Sequence, residues 1–315
     1  MKQGKLEKLR QKVEKKRLRE TFRKALDKEL REHKSSFIVF YILRLLVIVA
    51  LVRNGMRGSY ESAFFCILTF GLLYVPSWIQ VKLHIELPPP LEITILCFIF
   101  AAEILGEVNA FYVVIPGWDT MLHTINGFLA AAVGFSMVML LNDDDRLTFD
   151  LSPFFLALVA FCFSMTIGVL WEFFECGMDL FFGTDMQKDF IVDTIRSTKL
   201  DPTNNQNVIV VKDIVNTTIT TQSGEVTTID GGYLDIGILD TMKDLFVNFI
   251  GAIVFCIFGF IYEKVGRKNK TAAMVVEGLK IQPASEEEIK QMEGNKQAAI
   301  DESKQKKNNK KKKKK

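Results

Sequence analysis

Trp171-Glu172-Phe173-Phe174-Glu175-Cys176-Gly177-Met178-Asp179 closes a long apolar run of the chain. Glu172, Glu175 and Asp179 stand at i, i+3 and i+7, one face of a helix. The preceding stretch, 154–170, is almost wholly apolar and long enough to cross a bilayer. Acids at the end of such a span are costly unless they face water, a cation or one another's protons. What neutralises them decides the function.

The charge distribution sets the class. Residues 1–34 carry 14 Lys and Arg against six acids, and residues 263–315 carry 16 against eight. The centre keeps ten basic and 23 acidic residues, so the formal net charge of +3 describes no part of the chain. Two basic ends around an acidic, apolar body predict an all-α polytopic membrane protein in the cell (inner or plasma) membrane. Residues 1–35 form a basic cytosolic helix, 36–262 the transmembrane domain and 263–315 a polar, Lys-rich cytosolic tail. The tail is expected to be disordered from Gly266 onward. Both ends are expected to attract anionic lipid headgroups, with no specific nucleic-acid partner. Solvated ends that merely fix orientation are the plainer reading.

Six spans are expected: Phe37–Val52, Ala63–Ile79, Ile93–Val108, Asp119–Leu141, Pro153–Phe182 and Ile238–Tyr262. An even count leaves both termini cytoplasmic. Arg53 and Arg57 then fall outside and Asp143-Asp144-Asp145 inside, but acids count little in this rule. The loop from Lys82 to Leu91 carries Pro88-Pro89-Pro90, a stiff extended element. The long segment 183–237, between the fifth and sixth helices, is expected outside as a small α/β insert. Within it Asp185–Ser197 suits a short helix, and Asn207–Val211, Ile214–Thr221 and Val226–Ile229 suit strands turning at Ser223-Gly224. Cys66, Cys97, Cys162, Cys176 and Cys256 sit singly in apolar runs, as buried inert thiols do. Arg44 interrupts the first span and is expected to snorkel or pair with an acid. Gly127, Gly134, Gly168 and Gly251 are expected to allow close helix packing. Trp118 and Trp171 suit interface anchoring or packing.

With this topology, polar stripes from four helices reach one depth. Asp119, His123 and Asn126 enter on the fourth span. Asp240, Asp244 and Asn248 enter on the sixth, Glu172, Glu175 and Asp179 leave on the fifth, and Glu103 and Glu107 close the third. So many carboxylates cannot all ionise together in low dielectric; protons or a cation must compensate. Asp119, His123, Glu172, Glu175, Asp240 and Asp244 form the expected ligand set for a divalent metal ion such as Mg, Mn, Fe or Zn. Asn126, Asp179, Asn248, Glu103 and Glu107 are the other polar members. Solvated helix ends, with Asp119 and Asp240 as N-terminal caps, remain the plain alternative.

Asp119-x3-His123, Glu172-x2-Glu175 and Asp240-x3-Asp244-x3-Asn248-x2-Gly251 resemble the polar signature of VanZ-like membrane proteins. They are also similar to YjdF-type inner-membrane proteins of unknown function. The resemblance covers 119–262. The first likeness implies a cell-envelope role, with lipid-linked envelope precursors as partners; the second implies a fold and no activity. Three functions follow: binding of a cation or lipid-linked headgroup, metal-assisted hydrolysis or transfer with Glu172 or Glu175 as base, and proton- or cation-coupled transport. No phosphate loop, dinucleotide fingerprint, zinc-protease motif or nucleophile elbow is present in the sequence.

Overall fold

The computed structural model describes residues 34–83, 85–142 and 151–283. The basic run 1–33, Asp143-Asp144-Asp145 and the Lys-rich tail from residue 284 lie outside the described residues, and so do the lipid contacts expected of both ends.

Helix α1 spans Lys34–Met56, α2 Tyr60–Leu72 and α3 Val75–Leu83. The second expected span is therefore two helices. Pro76 lacks the backbone N–H that a continuous helix would use, and α3 restarts just before it. Helix α4 covers Pro89–Phe100 and continues as a π-helical run, Ala101–Val108. Instead of prolonging an extended loop, Pro89 and Pro90 open α4, where a missing N–H costs nothing. A single turn, α5, spans Phe111–Val114. Helices α6 (Trp118–Asn142), α7 (Pro153–Phe182) and α8 (Ile238–Val265) follow.

Five stretches are long and apolar enough to cross a membrane: Ser35–Met56, Ser62–Leu83, Trp118–Asn142, Pro153–Phe182 and Ile238–Lys268. The expected third span is helical but is not among them; its α-helix, Pro89–Phe100, ends after 12 residues where the π-helical run begins. The apolar window of α6 is 56% buried against 28% in each of the other four, so α6 is the most enclosed helix. Elsewhere Leu45, Phe64, Phe154, Phe173 and Phe246 point outward. An apolar surface of that kind suits lipid rather than water.

Two compact units divide the chain. The first contains the chain up to Leu122, residues 132–160 and the chain from Phe255. Its core joins Phe40, Leu43, Val47 and Ala50 of α1 to Cys66, Leu73, Leu96 and Ile104. Arg44 meets no carboxylate among its described contacts. It donates to the Tyr74 hydroxyl, and its guanidinium lies 3.9 Å from the Phe70 ring centroid and 4.6 Å from that of Tyr74. Ring quadrupoles supply the compensation expected from an acid.

The tail is ordered from Gly266 through Pro283. Helix α9 (Lys270–Leu279) starts at Asn269, whose side chain accepts from the Ala272 N–H, and it buries Ala272, Ala273 and Val276. Strand β8 (Gln282–Pro283) then pairs with β1 (Ile85–Glu86). The alternation of charge with small apolar residues here is amphipathic helix, not the low-hydrophobicity composition of a disordered tail.

The second unit contains His123–Ala131 and Phe161–Val254. Its insert is built of strand pairs: β2 (Ile191–Val192) with β7 (Tyr233–Leu234), β3 (Ile195–Ser197) with β4 (Ile209–Val211), and β5 (Asn216–Thr220) with β6 (Val226–Asp230). One 3-10 turn, Thr198–Leu200, accompanies them, and no α-helix lies among residues 183–237. The α/β expectation is corrected to β. The helix expected over Asp185–Ser197 fails because carboxylates outside it capture its backbone donors, as described below.

Only Cys66 of the five thiols is buried; Cys97 and Cys162 are exposed. An apolar run on a helix has an outward face as well as an inward one.

Candidate functional site

Three helices of the second unit carry the polar stripes. The chain brings His123 and Asn126 in on α6, Glu172 and Glu175 on α7, and Asp240, Asp244 and Asn248 on α8. Glycines set the spacing. A Cβ on Gly127 would stand 2.0 Å from the Asn248 carbonyl oxygen, and one on Gly251 would stand 2.0 Å from that of Thr124. Backbone therefore lies against backbone where α6 meets α8, as small residues permit. Gly168 of α7 leaves room for the Asn248 amide, 2.9 Å from where its Cβ would be.

The amides lock this crossing. Asn126 Nδ2 donates to Asn248 Oδ1 at 3.1 Å, and Ser164 Oγ donates to the Gly127 carbonyl at 2.8 Å. Asn248 Nδ2 reaches the Ser164 carbonyl at 3.5 Å. Asn126 and Asn248 thus pin helices together.

One and two turns along, the charged groups meet. His123, Glu172, Glu175, Asp240 and Asp244 are all buried. His123 Nδ1 lies 3.8 Å from Glu172 Oε1, and its Nε2 lies 3.9 Å from Asp244 Oδ2. The imidazole is set between carboxylates of two helices. His123, Glu172 and Glu175 each offer one ligand atom, all within 4.8 Å of one another. The Trp171 indole donates to Glu175 Oε1 at 2.8 Å, so this tryptophan orients a site carboxylate as well as packing. Lys243 stands 2.7 Å from Asp240 Oδ1 and 3.5 Å from Asp244 Oδ1.

Not every expected member joins this group. Asp179 instead holds the segment after α7, accepting from the backbone N–H groups of Met186 at 2.7 Å and Gln187 at 2.8 Å and from the Thr184 hydroxyl at 2.8 Å. Asp240 does not cap its own helix; its Oδ2 accepts from the Lys188 N–H at 2.8 Å. Asp235 accepts from the N–H of Phe190 at 2.6 Å and of Leu239 at 2.9 Å. These three acids fasten residues 186–190 in a non-helical course that bends at Gln187. Burial pushes the Asp235 carboxyl up, but the N–H donors of Phe190, Leu239 and Gly237 outweigh it and hold it below its ordinary range. Asp119 is not one of these exceptions: it stands one turn before His123 on the same face of α6 and offers a ligand atom beside the imidazole. Glu103 and Glu107 lie on the π-helical run of the first unit.

Spacing alone does not find Trp171, Ser164 and Asp235 as polar partners. Lys243 is legible in the sequence as one of the few basic residues near this level, at i+3 from Asp240 and next to Asp244. Ser164 had no signal, because its partner is a carbonyl on another helix.

Residues 39–265 match the family described as Predicted membrane protein (DUF2238). No curated protein matches the chain. No solved structure matches it either.

Proposed function

The chain belongs to the DUF2238 family of membrane proteins, and on that premise we propose that it binds a divalent cation through His123, Glu172 and Glu175. The carrying observation is the 3.8 Å separation of His123 Nδ1 from Glu172 Oε1. Ligands about 2.1 Å from one ion stand about 3.0–4.2 Å apart, from the cis to the trans arrangement. Glu175, whose ligand atom lies within 4.8 Å of the other two, joins the same ion by a small side-chain adjustment. One imidazole with two carboxylates suits Mn, Fe or Zn. Asp244 faces the other ring nitrogen, the place from which a carboxylate fixes the tautomer of a ligating histidine.

In this reading six spans cross the cell membrane, both termini are cytoplasmic and residues 183–237 lie outside. Glu172 is 19 residues into α7, about 29 Å along it, which places the site near the outer boundary of a ~30 Å core. The envelope headgroup implied by the VanZ-like resemblance enters through the cation. Four buried carboxylates repel a phosphate, so an anionic headgroup binds there only across a metal ion.

Metal analysis of the purified full chain after equilibration with Mn or Zn tests this. We expect about one ion per chain, lost in His123→Ala and in Glu172→Gln. No bound ion, or equal binding by both variants, would refute it.

A further inference from the structure

The proposed cation site already contains a cation of its own. Lys243 follows Asp240 by three residues and precedes Asp244 by one, so all three share a face of α8. Its ammonium contacts both carboxylates, at 2.7 and 3.5 Å. Both acids are almost fully enclosed, with side chains 6% and 2% exposed, while the Lys243 side chain is 37% exposed. A fixed pair of buried carboxylates is thus neutralised by a flexible cation with a route to solvent. The ammonium also lies 5.7 Å from the Phe190 ring centroid, on the segment that Asp240 fastens through Lys188 N–H.

We propose that Lys243 is a tethered competitor for the cation site: an incoming divalent ion displaces its ammonium from Asp244, and this sets the affinity and charge selectivity of binding. The inference rests on the cation reading above. Asp244 is the shared element, because one oxygen faces Lys243 and the other faces His123. The proposed ion and the Lys243 ammonium stand on opposite sides of the His123–Asp244 pair and repel each other in a partly desolvated place. A divalent ion overcomes the tethered charge where a monovalent ion does not. The four-carbon stem lets the ammonium swing outward without moving α8.

The test uses the full chain in detergent and two measurements. Manganese binding is titrated in wild type, Lys243→Met and Lys243→Arg. Removing the competitor should tighten binding about tenfold in Lys243→Met, the scale of one partly screened charge at this range, and Lys243→Arg should bind as wild type does. Acylation of Lys243 by an amine-reactive ester, read by mass spectrometry, should rise several-fold when manganese is added to wild type. Equal or weaker binding by Lys243→Met, with wild type binding normally, would overturn the competitor role and leave the cation site standing. Should Lys243→Met fail to fold, unchanged Lys243 acylation on saturation with manganese overturns the competitor role by itself. If wild type binds no manganese, the cation reading falls and this inference falls with it.

Discussion

Gly251→Ala measures how closely α6 and α8 must approach for the polar groups to meet. The added Cβ would lie 2.0 Å from the Thr124 carbonyl oxygen and 3.0 Å from the Phe128 nitrogen. The closest ordinary carbon–oxygen approach is about 3.3 Å, so the helices must part by about 1.3 Å. Both obstacles are backbone, and no rotamer change relieves them. Parting them by that distance stretches the 3.1 Å Asn126–Asn248 bond past any useful length. Overpacking costs about 1–3 kcal/mol and the lost amide bond about 1 kcal/mol more, together about 2–4 kcal/mol. For a domain of this size the melting temperature should fall by on the order of 10 °C. Thermal unfolding in detergent, followed by tryptophan fluorescence, reads this out. Gly177→Ala is the control: nothing stands within 4 Å of its Cβ, and α7 should gain up to about 1 kcal/mol. A Gly251→Ala protein melting within about 2 °C of wild type would refute the close approach and the geometry that depends on it.

Two further outcomes are expected. Asp201 is held below its ordinary range by the Thr203 hydroxyl and by the N–H groups of Thr203 and Asn207, and Asp235 is held low by its own backbone donors. A depressed folded-state pKa means stability that is full above the unfolded value of about 3.9 and is lost as pH falls through the lower folded value. Protection against amide exchange across 186–237, taken relative to the intrinsic rate at each pH, should therefore be unchanged between neutral pH and about pH 5, then fall below about pH 4; undiminished protection there would dismiss these acids as fasteners. For topology, a cysteine at position 205 in a cysteine-free background should react with an impermeant thiol reagent added outside intact cells, and labelling only after cell rupture would reverse the orientation.

Periodicity and charge were enough to establish the membrane class and the course of the last three long helices. Pro153–Phe182 was legible to the residue, because Pro153 starts the helix and Gly183, at φ 67°, ends it. The i, i+3 and i+4 spacings likewise put each polar stripe on one face of its own helix, which is a local property of 3.6 residues per turn. How those faces turn toward one another is not local. It depends on Gly127 and Gly251 admitting carbonyl oxygens of a facing helix, and no spacing within one helix records that. The same limit explains residues 183–237. Asp185–Ser197 has the composition of a short helix, yet its donors are taken by Asp179, Asp240 and Asp235 from before and after it in the chain. Hydrogen bonds to fixed carboxylates are stronger than the first turn of a short, poorly nucleated helix. Sequence determined which groups are polar and where along each helix they stand; tertiary contact decided which acids meet His123 and which hold the backbone beside it.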